Sequence, residues 1–242
     1  MITLMNISSI FKSIDKRITL IYLPRTACFL FIFFQMVGML VYPGGTIHDA
    51  STLGYTFSQN FFSDMGAYVA RNGEPNYLSM MLFSFSLMVV GITFMVYHLS
   101  LPSVLGRTRS NYMMACLGSL FATISSICMI GTGLTPTDLI FEPHVLFANN
   151  IFHFSLLSSS LYTVVVYRSE VLEMKYITGY VLFFFSIAAY VGVLQFGPSA
   201  RASVDGLVFQ VVSQKMIVLA FICSVLHQTY GFSKVGVLSG KT

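Results

Sequence analysis

The sequence predicts an all-α membrane protein, a polytopic bundle of six transmembrane helices, and three observations lead to that prediction. Hydrophobic residues make up 55% of the 242 residues and charged residues only 9%, whereas an ordinary soluble domain carries about 25% charged residues. Six segments are apolar over the roughly 20 residues that a helix needs to cross a bilayer. The seven prolines all lie between these segments or at their ends, where residues that break helices are expected.

The six predicted spans follow one another along the chain, and they divide it into three parts. Their ranges are 26–42, 77–98, 111–133, 145–167, 178–196 and 207–230. A cytoplasmic segment (1–25) precedes the transmembrane domain (26–230), and a cytoplasmic tail (231–242) follows it. The first segment is expected to form a short amphipathic helix on the membrane surface or, as the alternative, a frayed tail. The helix is indicated by apolar residues at helical spacing, namely Ile7, Ile10, Phe11, Ile14 and Ile18.

The distribution of basic residues predicts the orientation of the spans. With both termini on one side of the membrane, that side receives Lys12, Lys16, Arg17, Arg25, Arg107, Arg109, Arg168, Lys175, Lys234 and Lys241. The other side receives only Arg71 and Arg201, and Lys215 lies within the last span. Because basic residues accumulate in cytoplasmic loops, both termini are expected in the cytoplasm of a multi-pass cell-membrane protein. The net charge of +4 therefore reports on orientation, and no nucleic-acid partner is expected.

The first outer loop (43–76) is too long for a simple connection, and loops of this length are often functional. It holds His48 and the stretch SQNFFSDMG. Apolar residues from Phe57 to Val69 have roughly helical spacing, which predicts a short interfacial helix carrying Ser63 and Asp64. The alternative is that these two side chains only cap a helix N-terminus, a role that serine and aspartate fill well.

The second outer loop and the last span add further polar residues. Asp138, Glu142 and His144 lie close to the start of span four, whereas His153 is nine residues after His144 and therefore on another face. No metal is expected for this reason, although a mixed site could draw on His48, Asp64, His144 and His153. Gln214 and Lys215 lie inside span six. Since a charge within a span is costly, Lys215 is expected to face the bundle interior, with Asp64 or Asp138 as its partner directly or through water.

Several short motifs occur in an order that resembles a known family. They are SDMG (63–66), EPN (74–76), GLTPTD (133–138), His144 and GLVFQVVSQK (206–215). Together they are similar to the integral membrane family called domain of unknown function 998 and, more distantly, to Frag1/DRAM/Sfk1-like membrane proteins. The resemblance implies six spans and a set of site residues: Ser63, Asp64, Gly66, Asn76, Asp138, His144, Gln214 and Lys215. Met65 stands where the family has leucine, and Lys215 where it has arginine.

These residues predict an outward-facing polar pocket that binds a lipid head group or a small polar ligand. Its expected ligand-binding residues are Ser63, Asp64, Asn76, Asp138, His144, Gln214 and Lys215. Membrane lipids are the expected partners and no cofactor is expected, while a membrane-protein partner or a second copy of the chain stays open. Two alternatives remain, a metal-dependent intramembrane lipid hydrolase and a structural subunit of a membrane complex. The sequence leaves open whether the protein is an enzyme.

Overall fold

The computed structural model describes residues 15–235 of the chain, so most of the predicted amphipathic helix and the end of the tail lie outside the described residues. Within this range the regular structure is helical, apart from two isolated antiparallel bridges, Gly44–Leu53 and Val69–Pro75. The six long helices are α1 (Leu23–Val41), α2 (Tyr77–Ser100), α3 (Arg109–Leu134), α4 (Phe141–Ser169), α5 (Met174–Phe196) and α6 (Val204–Ser233). Single short turns of helix occur at Phe62–Gly66 and Pro102–Leu105.

The first helix begins earlier than the predicted span. Helical backbone continues from a π-helical turn, Ile18–Tyr22, directly into α1. Pro24 follows this turn at the start of α1. In a regular helix the proline ring would clash with the carbonyl group four residues earlier. The wider π turn accommodates the ring, so the residues around Pro24 stay helical although they are typical of a helix boundary.

The helices form a closed ring in chain order. Each long helix packs mainly against the one before it and the one after it, and α1 packs against α6. At this closing contact Arg25 Nε donates to Thr229 Oγ1 over 3.0 Å. Close approach of α2 and α3 depends on Gly91, since a Cβ there would lie 2.7 Å from Ile130 Cγ1 and 2.9 Å from the Ser126 carbonyl oxygen. Small residues at such positions are typical of membrane helix packing.

Five of the six long helices are long and apolar enough to cross a membrane. They are α1 with its π turn, α2 with the short turn after it, α3, α5 and α6. The sequence predicts a sixth span over 145–167, but α4 is not among the helices that meet this criterion within residues 15–235. Its hydropathy is lowered by polar residues along its length, including Asn149, Asn150, His153 and the serines 158–160. The architecture is therefore a helical bundle with at least five membrane-crossing candidates.

The two ends of the ring differ in the residues that cover them. Three loops, 42–76, 135–140 and 197–203, meet at one end, which we call the capped end. There His48 Nε2 lies 2.9 Å from the Ala200 carbonyl oxygen, and Asp138 accepts the backbone N–H groups of Tyr68 and Val69 over 2.8 and 2.9 Å. The opposite end, called the basic end, carries Arg25, Arg107, Arg109, Arg168, Lys175 and Lys234. The prediction that the three loops share one side is confirmed.

Candidate functional site

The long first loop folds tightly over the ring because buried amide groups hold its backbone. Asn60 Nδ2 donates to the Gly45 carbonyl over 2.8 Å, and Asn76 Nδ2 donates to the carbonyls of Met65 and Ala67 over 2.9 and 2.8 Å. Gly45 has φ +84°, and a Cβ at this position would lie 2.4 Å from the backbone nitrogen of Asn72. A residue larger than glycine does not fit where these two stretches of backbone meet. The first loop is therefore an ordered structure that covers the end of the ring, and we call it the cap.

Asp64 organises a single turn of 3₁₀ helix, Phe62–Gly66, in this cap. Its Oδ2 accepts the Phe61 N–H over 2.9 Å and the Asn60 amide over 3.2 Å. Its Oδ1 pairs with Arg71, whose Nε and Nη2 lie at 2.8 and 2.7 Å. Of the helix predicted between Phe57 and Val69, only this five-residue 3₁₀ turn forms. It ends where Asn76 binds the Met65 and Ala67 carbonyls, and Asp64 has the capping role that the sequence left as the alternative.

A cavity of about 1040 Å³ lies beneath the loops at the capped end. Its wall is made by all three loops, the start of α4, the second half of α5 and the first half of α6. Five of the seven predicted binding residues line this one cavity: Ser63, Asp64, Asp138, His144 and Gln214. Residues from four separate stretches of sequence are thus brought to a common site, which we call the capped-end cavity.

Two arginines that the sequence reading left out also line the capped-end cavity. Arg71 pairs with Asp64 and its side chain is 36% exposed. The Arg201 guanidinium lies over the Phe141 ring, 5.0 Å from its centroid. The carboxylates of Asp64 and Asp138 balance these two positive charges, so the cavity wall has no net formal charge with neutral histidines. The two arginines could have been identified from the sequence by their position. They are the only basic residues assigned to the predicted outer loops, on the side opposite the termini.

His144, which lines the capped-end cavity, has a hydrogen-bond acceptor without a partner. Its Nδ1 lies 2.6 Å from the Thr135 carbonyl oxygen, and since a carbonyl only accepts, Nδ1 carries the proton. In the neutral ring Nε2 is then an acceptor. This atom is buried and has no hydrogen-bond partner among the described residues. A buried polar atom without a partner is uncommon, because burying it without a hydrogen bond costs free energy. A ligand that donates a hydrogen bond to this atom would remove that cost.

Ser63 and Gln214 stand where the capped-end cavity meets a second cavity. The Gln214 Oε1 accepts the Phe62 N–H over 3.0 Å, which fixes the 3₁₀ turn to α6. The second, central cavity has a volume of about 140 Å³ and lies inside the ring, lined by side chains from all six long helices. Four residues line both cavities: Ser63, Ala148, Phe152 and Gln214. One layer of side chains therefore separates a polar chamber from an apolar one.

A third cavity, of about 70 Å³, continues toward the basic end. Hydroxyl and amide groups line it, with Tyr97 donating to Gln228 Oε1 over 3.0 Å. It shares Phe94, Met129 and Phe221 with the central cavity. Along the axis of the ring the lining thus changes from charged to apolar and then to a mixture of apolar side chains with hydroxyl and amide groups.

Lys215 faces the protein, as predicted, but it makes no direct ion pair with either predicted carboxylate. Its Nζ donates to the Asn60 carbonyl over 2.7 Å, and not to Asp64 or Asp138. The rings of Tyr55, Phe57 and Phe62 surround it, with centroids 5.3, 4.9 and 5.2 Å away. Lys215 is not among the residues that line the capped-end cavity. It joins α6 to the underside of the loop.

Tyr55 and Asn76 support the cap beside the cavity. The Tyr55 hydroxyl donates to the same Asn60 carbonyl as Lys215, over 2.8 Å. Burial, with a smaller effect of the Asp64 charge, raises the pKa of Tyr55, so this donor keeps its proton. Asn76 is buried under the loop, and it too is not among the residues that line the capped-end cavity. The amide holds the loop's shape, and the predicted direct contact with a ligand has no support in this position.

The residues weighed for a metal site have other partners. His48 contacts the Ala200 carbonyl, and His153 contacts the Asn149 carbonyl and Gln195 at 2.8 and 3.0 Å. His144 and Asp64 have the partners described above. In the described part of the chain no three histidine, cysteine, aspartate or glutamate side chains gather where they could hold a metal ion. The mixed set of His48, Asp64, His144 and His153 is not assembled as one centre.

Comparison with known proteins gives no relative for this chain. No family model, no curated protein and no solved structure matches it. A functional assignment must therefore come from the geometry and chemistry of the cavities themselves.

Proposed function

We propose that this chain is a six-span protein of the cell membrane, with both termini cytoplasmic. In this proposal its capped-end cavity faces outward and binds the polar head group of a lipid or a small polar ligand. One observation carries the proposal. A single cavity of about 1040 Å³ collects Asp138, Arg71, Arg201 and the unpartnered acceptor of His144 from separate loops and helices. Groups of this kind fix the orientation of a polar ligand in a pocket.

The sixth span in this proposal is α4. It packs between α3 and α5, both of which are apolar enough to cross a membrane. Its 29 residues extend roughly 43 Å at about 1.5 Å per residue. Its polar groups face neighbours in the ring: Ser125 Oγ and Ser155 Oγ lie 2.8 Å apart, and Ser158 donates to the Gly118 carbonyl over 2.9 Å. Polar groups satisfied in this way are compatible with a helix inside a membrane.

The proposed orientation can be tested by cysteine labelling in intact cells. Ser51 lies at the capped end and Ser103 lies at the basic end, and both are exposed. We expect a membrane-impermeant maleimide to label Ser51→Cys from outside and to label Ser103→Cys only after the cells are opened, because the basic end faces the cytoplasm. The unsubstituted chain controls for its own cysteines. Labelling of Ser103→Cys alone from outside would reverse the orientation.

The balance of charges favours a zwitterionic or neutral polar head group over a strongly charged one. Arg201 has no carboxylate partner among the described residues, and it can receive a phosphate. Asp138 accepts only backbone N–H groups, and it can attract an ammonium group. His144 Nε2 can accept a hydrogen bond from a hydroxyl or amine. A phosphodiester joined to a positively charged amine presents all of these partners at once.

Titration of the purified protein with a soluble head group tests this function. In lipid nanodiscs we expect glycerophosphocholine to bind the native chain and to bind Arg201→Gln about tenfold more weakly, since a hydrogen bond to a charged group contributes about 1.5–3 kcal/mol. Arg107→Gln is the matched control, because Arg107 is exposed at the basic end. Calorimetry measures both. Equal affinity of the two variants, or no binding by the native chain, would refute the head-group site.

The family resemblance enters this proposal as well. We infer that the likeness to the domain of unknown function 998 reflects a common site. What supports this is that residues of the SDMG and GLTPTD motifs, together with His144 and Gln214, line one cavity. The metal-dependent hydrolase gains no support from the side chains of residues 15–235, because no three metal-ligating groups come together there. Lipid-head-group binding is therefore the function proposed.

A further inference from the structure

The central cavity lies directly behind the wall of the capped-end cavity. Ser63, Ala148, Phe152 and Gln214 belong to the lining of both, and we call this layer the neck. Beyond it the lining is almost wholly apolar, with residues such as Phe83, Val90 and Ile217. A polar cavity followed by an apolar cavity matches an amphiphile, which joins a polar head group to an apolar chain.

The size of the central cavity limits what could fill it. Its volume of about 140 Å³ is close to that of a cavity of about 150 Å³, lined by leucine, isoleucine and phenylalanine, that stays dry and accepts benzene. One narrow apolar chain fits such a space, whereas two chains side by side do not. The lining comes from all six helices and from the 3₁₀ turn, so the space is enclosed by the ring and differs from a groove on its surface.

The length of the central cavity can be measured from the neck to the residues that it shares with the third cavity. Between the neck and the first residues shared with the third cavity, the interval on α4 runs from Ala148 to Ser155 and that on α6 from Gln214 to Phe221. Each of these intervals is seven residues, or roughly 10 Å of helix. An extended hydrocarbon chain covers that distance with roughly eight carbons, taking C–C bonds of about 1.5 Å. Beyond it, in the third cavity, hydroxyl and amide groups are mixed with apolar side chains, so the purely apolar interval ends there.

We propose that the ligand is a single-chain amphiphile whose apolar chain passes the neck and occupies the central cavity, while its head group stays in the capped-end cavity. This inference rests on the proposed function, because it uses the head-group site, and it adds the chemical class of the ligand. The chemistry is that of a lysophospholipid or another lipid with one flexible chain. Ser63 and Gln214, the polar residues of the neck, lie where the head and the chain of such a molecule join.

Photo-crosslinking with an alkyl phosphocholine tests the chain site. The probe carries a diazirine at the end of its chain, and the native protein is held in nanodiscs of phosphatidylcholine. With a chain of roughly eight carbons we expect labels on Phe94, Met129 or Phe221, at the far end of the central cavity. A homologue with a much shorter chain should label near Phe152 instead. Labels confined to lipid-facing residues such as Leu182 and Leu219 for every chain length would overturn the inference.

A matched pair of variants on α6 separates the cavity from the protein's outer surface. Val218 lines the central cavity, and Leu219 is 52% exposed on the outside of the ring. The empty volume can accept the larger ring of Val218→Phe, so the fold is retained and the space for a chain is lost. We expect labelling inside the cavity to be largely lost for Val218→Phe, because the ring occupies the space that the chain needs, and to be unchanged for Leu219→Phe. Equal loss in both variants, or in neither, would count against the chain site.

Competition distinguishes a failure of the chain site from a failure of the head-group site. If glycerophosphocholine binds the native protein but no label enters the central cavity, the head-group proposal stands and the single-chain inference fails. If labels do enter the central cavity but glycerophosphocholine does not displace the probe and Arg201→Gln labels normally, the head-group site fails. Labelling inside the cavity that is displaced by glycerophosphocholine supports both.

Discussion

The capped-end cavity and the third cavity both carry polar groups, yet these groups differ in kind and in origin. At the capped end the lining includes two arginines and two aspartates, all of them carried by loops. In the third cavity the polar groups are mainly hydroxyl and amide groups on the helices, and apolar side chains such as Phe94 and Val225 lie among them. These hydroxyl and amide groups bind one another, as where Gln228 Nε2 donates to Ser224 Oγ over 2.7 Å. The charged cavity leaves an acceptor on His144 open, whereas the neutral network joins helices.

This difference follows from where each group is carried. A polar group on a helix inside a membrane has no water to bind, so it must find a partner within the protein. Ser119, Tyr162, Tyr97 and Gln228 meet that requirement with each other. His144 is carried by a helix as well, but it lies in the first turn of α4, beside the loops of the capped end, where a ligand can supply the missing partner. A satisfied neutral network is therefore expected to support structure, and the charged cavity with its open acceptor is expected to support binding.

We expect the substitution of Asp64 to cause the largest loss of stability. This prediction sharpens the comparison of the two cavities, because Asp64 is a charged group of the capped-end cavity that has a structural role. Asp64→Ala leaves the Phe61 N–H, the Asn60 amide and the Arg71 guanidinium without their shared acceptor. We expect the free energy of unfolding to fall by about 3 kcal/mol, the range for removing one partner of a buried ion pair. Denaturation in mixed micelles measures it. The exposed Asp49 on the same loop is the control, and Asp49→Ala should leave stability nearly unchanged. Equal effects would mean that Asp64 does not hold the cap.

We expect the substitution of Lys215 to have an intermediate effect on stability, because only some of the contacts around Lys215 require its side chain. In Lys215→Met the Asn60 carbonyl keeps Tyr55 as a donor, so the main loss is the attraction of the cation to three rings. Such an interaction contributes about 2 kcal/mol when desolvated, and the buried methionine offsets some of it, which leaves about 1 kcal/mol. Lys215→Arg keeps the charge and should lose less. A greater loss for arginine than for methionine would show that the shape of the cage, and not the charge, is decisive.

Tyr97 should have the smallest effect and offers a way to break the comparison. Tyr97→Phe removes the hydrogen bond to Gln228 Oε1, of 3.0 Å, and a longer contact of 3.4 Å with the Tyr180 hydroxyl. Hydrogen bonds between membrane helices contribute about 0.6 kcal/mol on average, so we expect a loss of that order in the same denaturation assay. Binding of glycerophosphocholine should not change. A large loss of binding with normal stability would place a ligand-binding role at the basic end, and the proposed division between the two cavities would be wrong.

The fold could be predicted to a large extent because hydropathy and proline placement act along the chain. The start of α1 was missed, since Pro24 and Arg25 are typical of a boundary and a π turn that accommodates a proline leaves no mark in the sequence. At the site, Asp138 and His144 stood out as polar residues in apolar surroundings. Arg71 and Arg201 were overlooked because they were counted only for topology.

The partner of Lys215 shows a limit of another kind. Sequence reasoning searches for a carboxylate to match a buried cation, but the acceptor is a backbone carbonyl, which every residue has. Its availability depends on how the loop turns at Asn60, and that turn depends on Gly45, Asn76 and Asp64 together. Only the folded cap makes this one carbonyl face α6. Asn76 was expected to bind a ligand for the same reason, because in a sequence a buried amide that shapes a loop resembles one that binds a ligand.

The closed ring in chain order has a consequence for how the protein is made. Each helix after the first packs against the helix immediately before it in the chain, so a newly inserted helix meets a partner that is already in the membrane. The contact of α1 with α6, which includes the bond between Arg25 and Thr229, joins the ends of the sequence and forms after all other helices are present. Chains fold from the N-terminus during synthesis. Until α6 arrives, the central cavity stays open to the bilayer along one side, and lipid can enter it before the ring closes.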